Sequence, residues 1–268
     1  MPNLQKNLSL PVSLNERGLL EFYEPLPKMT PKKRTLADMK DYLADPEASF
    51  AGESVYDMYR AVHLPQDAEK FKNAGLRFDI TVFHPGILGK EFCKTAGHYH
   101  PFKPGTNVRY PETYEVVKGR ALFLMQRMDD SFSQVLDFYA IEVNESQDVI
   151  FLPGYAHFLI NPTEDILITS NWSGDNFNSL YEPAAKYHGA SYYVLKGNDG
   201  KPEFVPNKNY SSVPELKKLR PKELPHFGLI NRQPAYQTGQ KSPDMLQFLI
   251  TPELYLKELT IENCYISA

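Results

Sequence analysis

The middle of the chain is a series of short runs of strand-forming residues, and this series constrains the fold more than any other feature. The runs lie at residues 76–83, 113–117, 121–126, 135–143, 149–152, 158–160, 166–169 and 192–195. Short turn-rich pieces separate the runs, and a spacing of roughly 8 to 12 residues is typical of a sandwich or barrel, not of alternating strand and helix units. A content of 13% aromatic residues, with 17 Tyr and 16 Phe, also favours strands. We therefore predict a mainly β fold, a jelly-roll barrel.

The barrel is predicted to occupy residues 50–200, between an N-terminal arm at 1–49 and a C-terminal extension at 201–268. Four prolines, among them Pro2, in the first 30 residues indicate an extended segment with little regular structure. The C-terminal extension follows a turn at Gly197–Gly200 and is expected to pack on the barrel or on a partner subunit.

Two short helices are predicted outside the strand series. Leu36, Met39 and Leu43 have helical spacing, which predicts a helix over 35–44 with Thr35 and Asp38 as its N-cap and N3 partner. Ser242-Pro243-Asp244 is a helix-start pattern, and it predicts a second helix around 245–249.

Charge and cysteine content exclude several classes of function. The formal net charge is -4 and there is no dense run of Lys or Arg, so we expect neither a nucleic-acid partner nor an anionic membrane surface. No stretch approaches the ~18 to 20 apolar residues of a spanning helix, and the first residues lack the pattern of a signal peptide, so a cytoplasmic location is expected. Cys93 and Cys264 lie too far apart for a paired-Cys zinc site. Any metal site here must use His and carboxylate side chains.

A candidate metal site begins at His98 and His100. On a strand, residues two apart point to the same face, so both imidazoles could bind one ion, although such pairs also occur on solvated strands. Glu112 opens the next strand and could supply an oxygen ligand, with Glu115 as the competing acid. His157 follows a turn at the start of another strand and is a candidate fourth ligand.

Three imidazoles and one carboxylate suit a single divalent ion: Fe²⁺, Mn²⁺, Ni²⁺, Co²⁺ or Zn²⁺. A six-coordinate ion held by four protein ligands keeps two positions for water or substrate. The set His98, His100, Glu112 and His157 therefore predicts a catalytic type of site.

Two blocks of this sequence resemble the motifs of the cupin superfamily. The first runs from Gly97-His98-x-His100 through Glu112 to Gly119, and the second from Pro153 through His157 to Asn161. The resemblance implies a double-stranded β-helix barrel. One departure is an inserted loop from Pro101 to Pro111, which must fold beside the metal.

A narrower resemblance is to the cupin-type glucose-6-phosphate isomerase family first known from archaea. It rests on Thr81-Val-Phe-His-Pro-Gly86, Lys94-Thr95-Ala-Gly97-His98-Tyr-His100 and Glu112-Thr-Tyr-Glu-Val-Val-Lys-Gly119, and it covers roughly residues 50–200, with Tyr56-Asp-Met-Tyr59-Arg60 ahead of the barrel. The resemblance implies metal-dependent interconversion of glucose 6-phosphate and fructose 6-phosphate. Mannose 6-phosphate differs from glucose 6-phosphate only at C2 and is a candidate competing substrate or inhibitor. A homodimer is also expected, as is common among cupins.

The same resemblance implies roles for individual residues. Glu112 becomes the favoured base for the C2 proton as well as a metal ligand, and Thr81, Thr95 and Gly97 match the phosphate contacts. Tyr181 and His188 are candidates for ring opening or phosphate contact, and His188 fits an exposed loop histidine equally well.

Two other functions stay open at this level. A cupin dioxygenase would use the same ligand set with Fe²⁺ or Cu²⁺ and would consume oxygen. A non-catalytic sugar-binding cupin would use the barrel only to hold a ligand, and similarity of fold does not decide between these functions.

Overall fold

The computed structural model describes residues 3–268, so Met1 and Pro2 of the predicted N-terminal arm lie outside the described residues. The strands are β1 (Val12–Leu14), β2 (Leu20–Phe22), β3 (Lys32–Arg34), β4 (Tyr56–Tyr59), β5 (Leu76–Phe83), β6 (Ile87–Leu88), β7 (Glu91–Phe92), β8 (Glu112–Lys118), β9 (Arg120–Met128), β10 (Val135–Asn144), β11 (Asp148–Phe151), β12 (Tyr155–Ile160), β13 (Leu167–Gly174), β14 (Tyr192–Lys196), β15 (Pro202–Pro206), β16 (Lys217–Pro221) and β17 (Tyr265–Ser267). The α-helices are α1 (Gln5–Leu8), α2 (Ala68–Ala74), α3 (Glu182–Lys186), α4 (Ala235–Lys241) and α5 (Ile261–Cys264). The 3₁₀ helices are Ala37–Tyr42, Pro65–Asp67, Pro225–Phe227, Pro243–Leu249 and Pro252–Leu254.

Over the described range, none of the helices has the length and apolar character needed to cross a bilayer.

The central strands form a jelly roll. One sheet has the order β11-β8-β13-β5-β4-β3 and the other has the order β12-β9-β10-β16-β17. The segment at 93–98 runs antiparallel beside β12, with Lys94 opposite Ile160 and His98 opposite His157. With that segment, the strands from β5 to β13 give two four-stranded layers in jelly-roll order. The predicted mainly β, cupin-type fold is confirmed, although in the described residues the hydrogen bonds follow separate sheets and not one closed barrel.

The two layers face each other across the core. The ring of Tyr114 on β8 lies 5.6 Å from the ring of Phe123 on β9, and both belong to one apolar cluster with residues of β5 and β12. Side chains alternate along each strand, so one face of β8 points into this core and the other points outward. Glu112 and Tyr114 are on the inner face, and Glu115 is on the outer face.

The C-terminal segment covers the outer face of the six-stranded sheet. Every residue of β13 is buried, and its outward-facing Trp172 packs between Phe71 of α2 and Tyr236 of α4. The indole Nε1 of Trp172 donates to the carbonyl of Ala235 at 2.9 Å. Further along, β16 pairs in parallel with β10 and extends the second sheet. This part of the chain therefore packs against the jelly roll, while the boundaries at 49 and 200 stay a prediction.

The ends of the chain hold more structure than the sequence indicated. The first 30 residues contain α1 and the antiparallel β1–β2 hairpin, so the expectation of little regular structure was wrong. The helix predicted over 35–44 is the 3₁₀ helix Ala37–Tyr42, and the Thr35 backbone N–H donates to Asp38 at 2.8 Å. The helix predicted around 245–249 lies within the 3₁₀ helix Pro243–Leu249.

Glu115 on the outer face of β8 is a buried acid that makes stability depend on pH. Its Oε2 accepts hydrogen bonds from the Ser170 hydroxyl and from the Ala235 N–H. Asp148 lies opposite Glu115 on β11, and Glu223 is a further acid near Asp148. Burial raises the pKa of Glu115 to about 7 and raises the pKa of Asp148 as well. Between an unfolded pKa of about 4.5 and this folded value, the folded chain binds more protons, so stability falls as pH rises.

We expect Glu115→Gln to flatten this pH dependence. Between pH 5 and pH 8 the free energy of unfolding of the parent protein should fall by about 3 kcal/mol from Glu115 alone, and the variant should lose that part of the fall. Urea unfolding at both pH values measures this change in the free energy of unfolding, with exposed Glu142→Gln as the matched control. An equal fall in parent and Glu115→Gln would contradict the assignment.

Candidate metal centre and its cavity

Three histidines and one glutamate converge in the core of the jelly roll. His98 and His100 come from the segment beside β12, Glu112 opens β8, and His157 lies on β12. One potential ligand atom from each side chain lies within 4.8 Å of the others. The His157 Nε2 is 3.0 Å from Oε2 of Glu112, and the His100 Nε2 is 3.4 Å from the same oxygen. Glu112, and not its competitor Glu115, is the carboxylate that joins the three histidines.

The arrangement fits a metal ion better than a hydrogen-bonded cluster. Oε2 of Glu112 and Nε2 of His157 lie 3.0 Å apart, yet both are buried without a hydrogen-bond partner among residues 3–268. Nε2 of His98 and Nε2 of His100 are also only 3.2 Å apart. Leaving buried polar atoms unpaired costs free energy, and one shared cation would satisfy all of them.

Outer contacts hold the ligand side chains in orientation. Nδ1 of His100 lies 3.0 Å from the carbonyl oxygen of Tyr110, which leaves its Nε2 for the centre. Nδ2 of Asn171 donates to Oε1 of Glu112 at 2.7 Å, which leaves Oε2 for the centre. Such contacts fix the tautomer and direction of metal ligands. Tyr110 belongs to the inserted loop, so the expectation that this loop folds beside the site is confirmed.

The pKa shifts within this set favour the protonation states in which the side chains can bind metal. Burial lowers the pKa of His98 well below its usual value, and the neighbouring His157 and His100 lower it further. Burial also lowers the pKa of His157. Burial acts to raise the pKa of Glu112, but the close approach of the His100 and His157 imidazoles outweighs it, so this pKa lies well below its usual value. Neutral imidazoles and an ionised carboxylate are the forms that bind metal.

The ligand set opens on a polar cavity between the layers. The cavity is lined by Tyr56, Met58, Arg60, Arg77, Thr81, Phe83, Thr95, Gly97, His98, His100, Glu112, Tyr114, Leu159, Asn171, Ser173, Phe177, Ser179 and Tyr181. Thr81, Thr95, Gly97 and Tyr181, all predicted from the sequence, are therefore brought together with three of the four predicted ligands.

Local geometry explains some of these positions. Gly97 has a φ of +74°, and a Cβ there would lie 1.9 Å from Cδ1 of Phe158, so only glycine fits. Oγ1 of Thr95 accepts from the Leu159 N–H at 3.0 Å, which keeps its own proton available to the cavity. The ring of Tyr181 lies 5.1 Å from the ring of His98.

Not every predicted residue reaches the cavity. His188 lies just after α3 with a φ of 56° and a buried, unpartnered Nδ1, and it is not among the lining residues. Its assigned role stays a prediction. Tyr99 points to a second apolar cluster, where its hydroxyl accepts from Nε2 of Gln126, as strand alternation from the flanking histidines predicts.

Sequence reasoning missed several polar lining residues. Arg77 lies on the inner face of β5 beside the predicted Thr81, and Asn171 and Ser173 share the inner face of β13. The alternation that places Asn171 and Ser173 on one face of a strand was visible, but the sequence did not show which strands lie side by side.

Comparison with known proteins assigns the chain to a family. The sequence model described as "Glucose-6-phosphate isomerase (GPI)" matches residues 33–213, which is more than half of the chain. The chain belongs to the glucose-6-phosphate isomerase family. That match includes all four residues of the candidate metal centre and every lining residue of its cavity.

Named relatives support this membership. The chain is 31% identical to a glucose-6-phosphate isomerase of Thermococcus onnurineus over 50% of this chain and 65% of that protein. It is 32% identical to a glucose-6-phosphate isomerase of Thermococcus litoralis over 48% of this chain and 61% of that protein. It is 26% identical to one of Pyrococcus abyssi over 67% of this chain and 87% of that protein. The alignments thus span less than two thirds of the first two relatives.

Solved structures are only distantly similar. An oxalate oxidase gives a TM-score of 0.37 at 17% identity over 53% of this chain and 62% of that chain. A tomato vicilin gives a TM-score of 0.34 at 14% identity over 53% of this chain and 34% of that chain. The description of the fold therefore rests on the strand order above.

Proposed function

We propose that the protein is a metal-dependent aldose-ketose isomerase that interconverts glucose 6-phosphate and fructose 6-phosphate. The observation that carries the proposal is the buried set of His98, His100, Glu112 and His157, opening on a cavity with Thr81 and Thr95 in a chain of this family. The metal is one divalent ion per chain, and its identity is left to experiment.

The ligand residues are suited to hold the ion and to leave a face for substrate. A bound divalent ion supplies Lewis-acid polarisation of the sugar's carbonyl and hydroxyl oxygens. Around it, the ring of Phe177 lies 4.7 Å from that of His100, and Tyr181 covers His98. These rings limit the entry of water beside the reacting carbons.

Glu112 is proposed to carry the proton between C1 and C2. Asn171 donates to its Oε1, but a carboxylate oxygen has a second lone pair that can accept a proton from the sugar. The same hydrogen bond favours the ionised form of Glu112, which a base requires. Tyr114 also lines the cavity, and burial, followed by the charge of Glu112, raises the pKa of its phenol well above the usual value, so it keeps its proton.

The substrate phosphate is proposed to bind Thr81, Thr95, Gly97 and Tyr181. Hydroxyl and backbone donors suit an anion, and the guanidinium of Arg34 lies 5.6 Å from the ring centroid of Tyr181, which places positive charge behind this end of the cavity. The homodimer and the cytoplasmic location remain predictions.

Incubation of the purified metal-loaded protein with fructose 6-phosphate tests the proposed function. Glucose 6-phosphate, detected with a coupled dehydrogenase, should accumulate without oxygen consumption. Substrate-dependent oxygen uptake without glucose 6-phosphate would move the assignment to the dioxygenase, and binding without turnover would move it to a sugar-binding cupin.

Thr81→Val tests the phosphate assignment. Thr81 is buried on the inner face of β5, and valine keeps its shape but removes the hydroxyl donor. We expect the KM for fructose 6-phosphate to rise about 10-fold with little change in kcat, because a hydrogen bond to a charged group is lost. Thr113→Val, at a buried threonine on the outer face of β8, is the matched control and should leave KM unchanged. An unchanged KM in Thr81→Val would reject the contact.

A further inference from the structure

A second polar group lies in the same cavity, away from the proposed phosphate residues. Arg77, Asp79 and Thr81 share the inner face of β5, and Arg60 follows the end of β4 beside Asp79. Four residues along a strand span about 13 Å, so the backbone of Arg77 is about that far from the backbone of Thr81. Neither arginine has a role in the proposed reaction.

A buried carboxylate positions the two arginines. Asp79 accepts from Nη1 of Arg60 at 2.5 Å, from Nε of Arg77 at 2.9 Å and from the Ala61 N–H at 2.8 Å. Its side chain is 1% exposed, whereas those of Arg60 and Arg77 are 43% and 27% exposed. Asp79 therefore fixes both guanidinium groups and neutralises only one of their two charges.

Hydrogen-bonding capacity remains unused on the cavity side. Among the described residues, Arg77 donates only through Nε, so its two terminal nitrogens have no protein partner. Ser173 lies opposite Arg77 in the β5–β13 register, and its Oγ is buried with no hydrogen-bond partner in the part of the chain that the structure describes. An unpartnered hydroxyl beside an open guanidinium fork is suited to the oxygens of a phosphate.

The register places this group next to the metal centre. Trp172 pairs with Thr113, so Ser173 comes level with Glu112, and Ser173 in turn pairs with Arg77. Two strand spacings, about 10 Å, separate the backbones of Glu112 and Arg77. The ligand set, the end of the cavity at Thr81 (the Thr81 end) and the end at Arg77 (the Arg77 end) thus lie at three separate places around one cavity.

We propose that Arg60, Arg77 and Ser173 form a second anion subsite, which binds a phosphoryl group carried near C1 of a sugar 6-phosphate. This inference rests on the proposed function, which places the reacting carbons at the metal centre and the 6-phosphate at the Thr81 end. A phosphoryl group on C1 then extends past the centre toward Arg77. The ligand class is a sugar bisphosphate, which occupies the cavity as a competitor of the substrate.

Calorimetric binding to the Mn²⁺-loaded protein tests the subsite with two probes. Fructose 1,6-bisphosphate carries both phosphoryl groups, and sorbitol 6-phosphate carries only the one at C6. Arg77→Met should raise the Kd of the bisphosphate about 10-fold or more and change that of sorbitol 6-phosphate less than 2-fold. Ser173→Ala should act in the same direction with a smaller effect, and exposed Arg120→Met is the matched control.

The outcomes separate this proposal from the proposed function. Equal weakening of both probes by Arg77→Met would mean that the arginines hold the 6-phosphate, and no change with either probe would mean that they hold no anion, so each result overturns the second subsite. If Arg77→Met unfolds, Arg77→Lys, which keeps the charge but not the fork, and Ser173→Ala give the same comparison. Loss of the proposed function would appear separately, as absence of isomerase turnover in the parent protein.

Discussion

Replacing His157 with alanine is expected to remove the metal ion and lower kcat/KM for fructose 6-phosphate by about 10³-fold or more. His157 is 3% exposed, and its Nε2 has no partner in the described residues except the other ligand atoms. Its loss leaves three ligands and a hole in the core beside them. Metal content by elemental analysis and turnover by coupled assay should fall together.

His226→Ala is the matched control, because that histidine is exposed and far along the chain from the site. It should retain both metal and activity. A His157→Ala protein that is folded, carries one metal per chain and turns over normally would show that His157 is not a ligand.

Replacing Glu112 with glutamine is expected to lower kcat about 10²- to 10⁴-fold even after correction for bound metal. The amide keeps the size of the side chain and can still meet the Asn171 donor, but it cannot accept a proton from C2. Metal occupancy should also drop, since Oε2 of Glu112 faces the histidine nitrogens. Turnover per bound metal separates the two effects.

The control lies three residues along the same strand. Glu115→Gln removes a carboxylate of equal size on the outer face of β8, against Ser170 and Ala235, and should keep kcat within about 2-fold of the parent. If Glu112→Gln retained full metal and the parent kcat, the base would have to be another residue.

The sequence predicted the strand framework well, because its signal is local. The run at 76–83 coincides with β5, and the run at 135–143 differs from β10 by one residue. The positions of the histidines could also be predicted, since two residues apart on a strand means one face. The jelly-roll prediction followed from the number and spacing of such runs.

What the sequence missed depends on contacts between distant segments. The β1–β2 hairpin uses strands of only three residues, each with a polar residue at its centre, too short to stand out beside the prolines. Nothing in the sequence around Trp172 shows that α2 and α4 bury it, because that contact needs the folded C-terminal segment. The Arg60–Asp79–Arg77 group appears only when the register of β4, β5 and β13 is known.

Metal add-back to chelator-stripped protein tests whether isomerase turnover depends on the ion held by the three histidines and Glu112. Conversion of fructose 6-phosphate to glucose 6-phosphate is measured before and after addition of Fe²⁺, Mn²⁺, Ni²⁺ or Zn²⁺, with bound metal counted in each sample. We expect turnover to disappear on stripping and to return with at least one of these ions, bound at about one per chain. Full turnover in the metal-free protein, or no turnover with any ion despite stoichiometric binding, would contradict it.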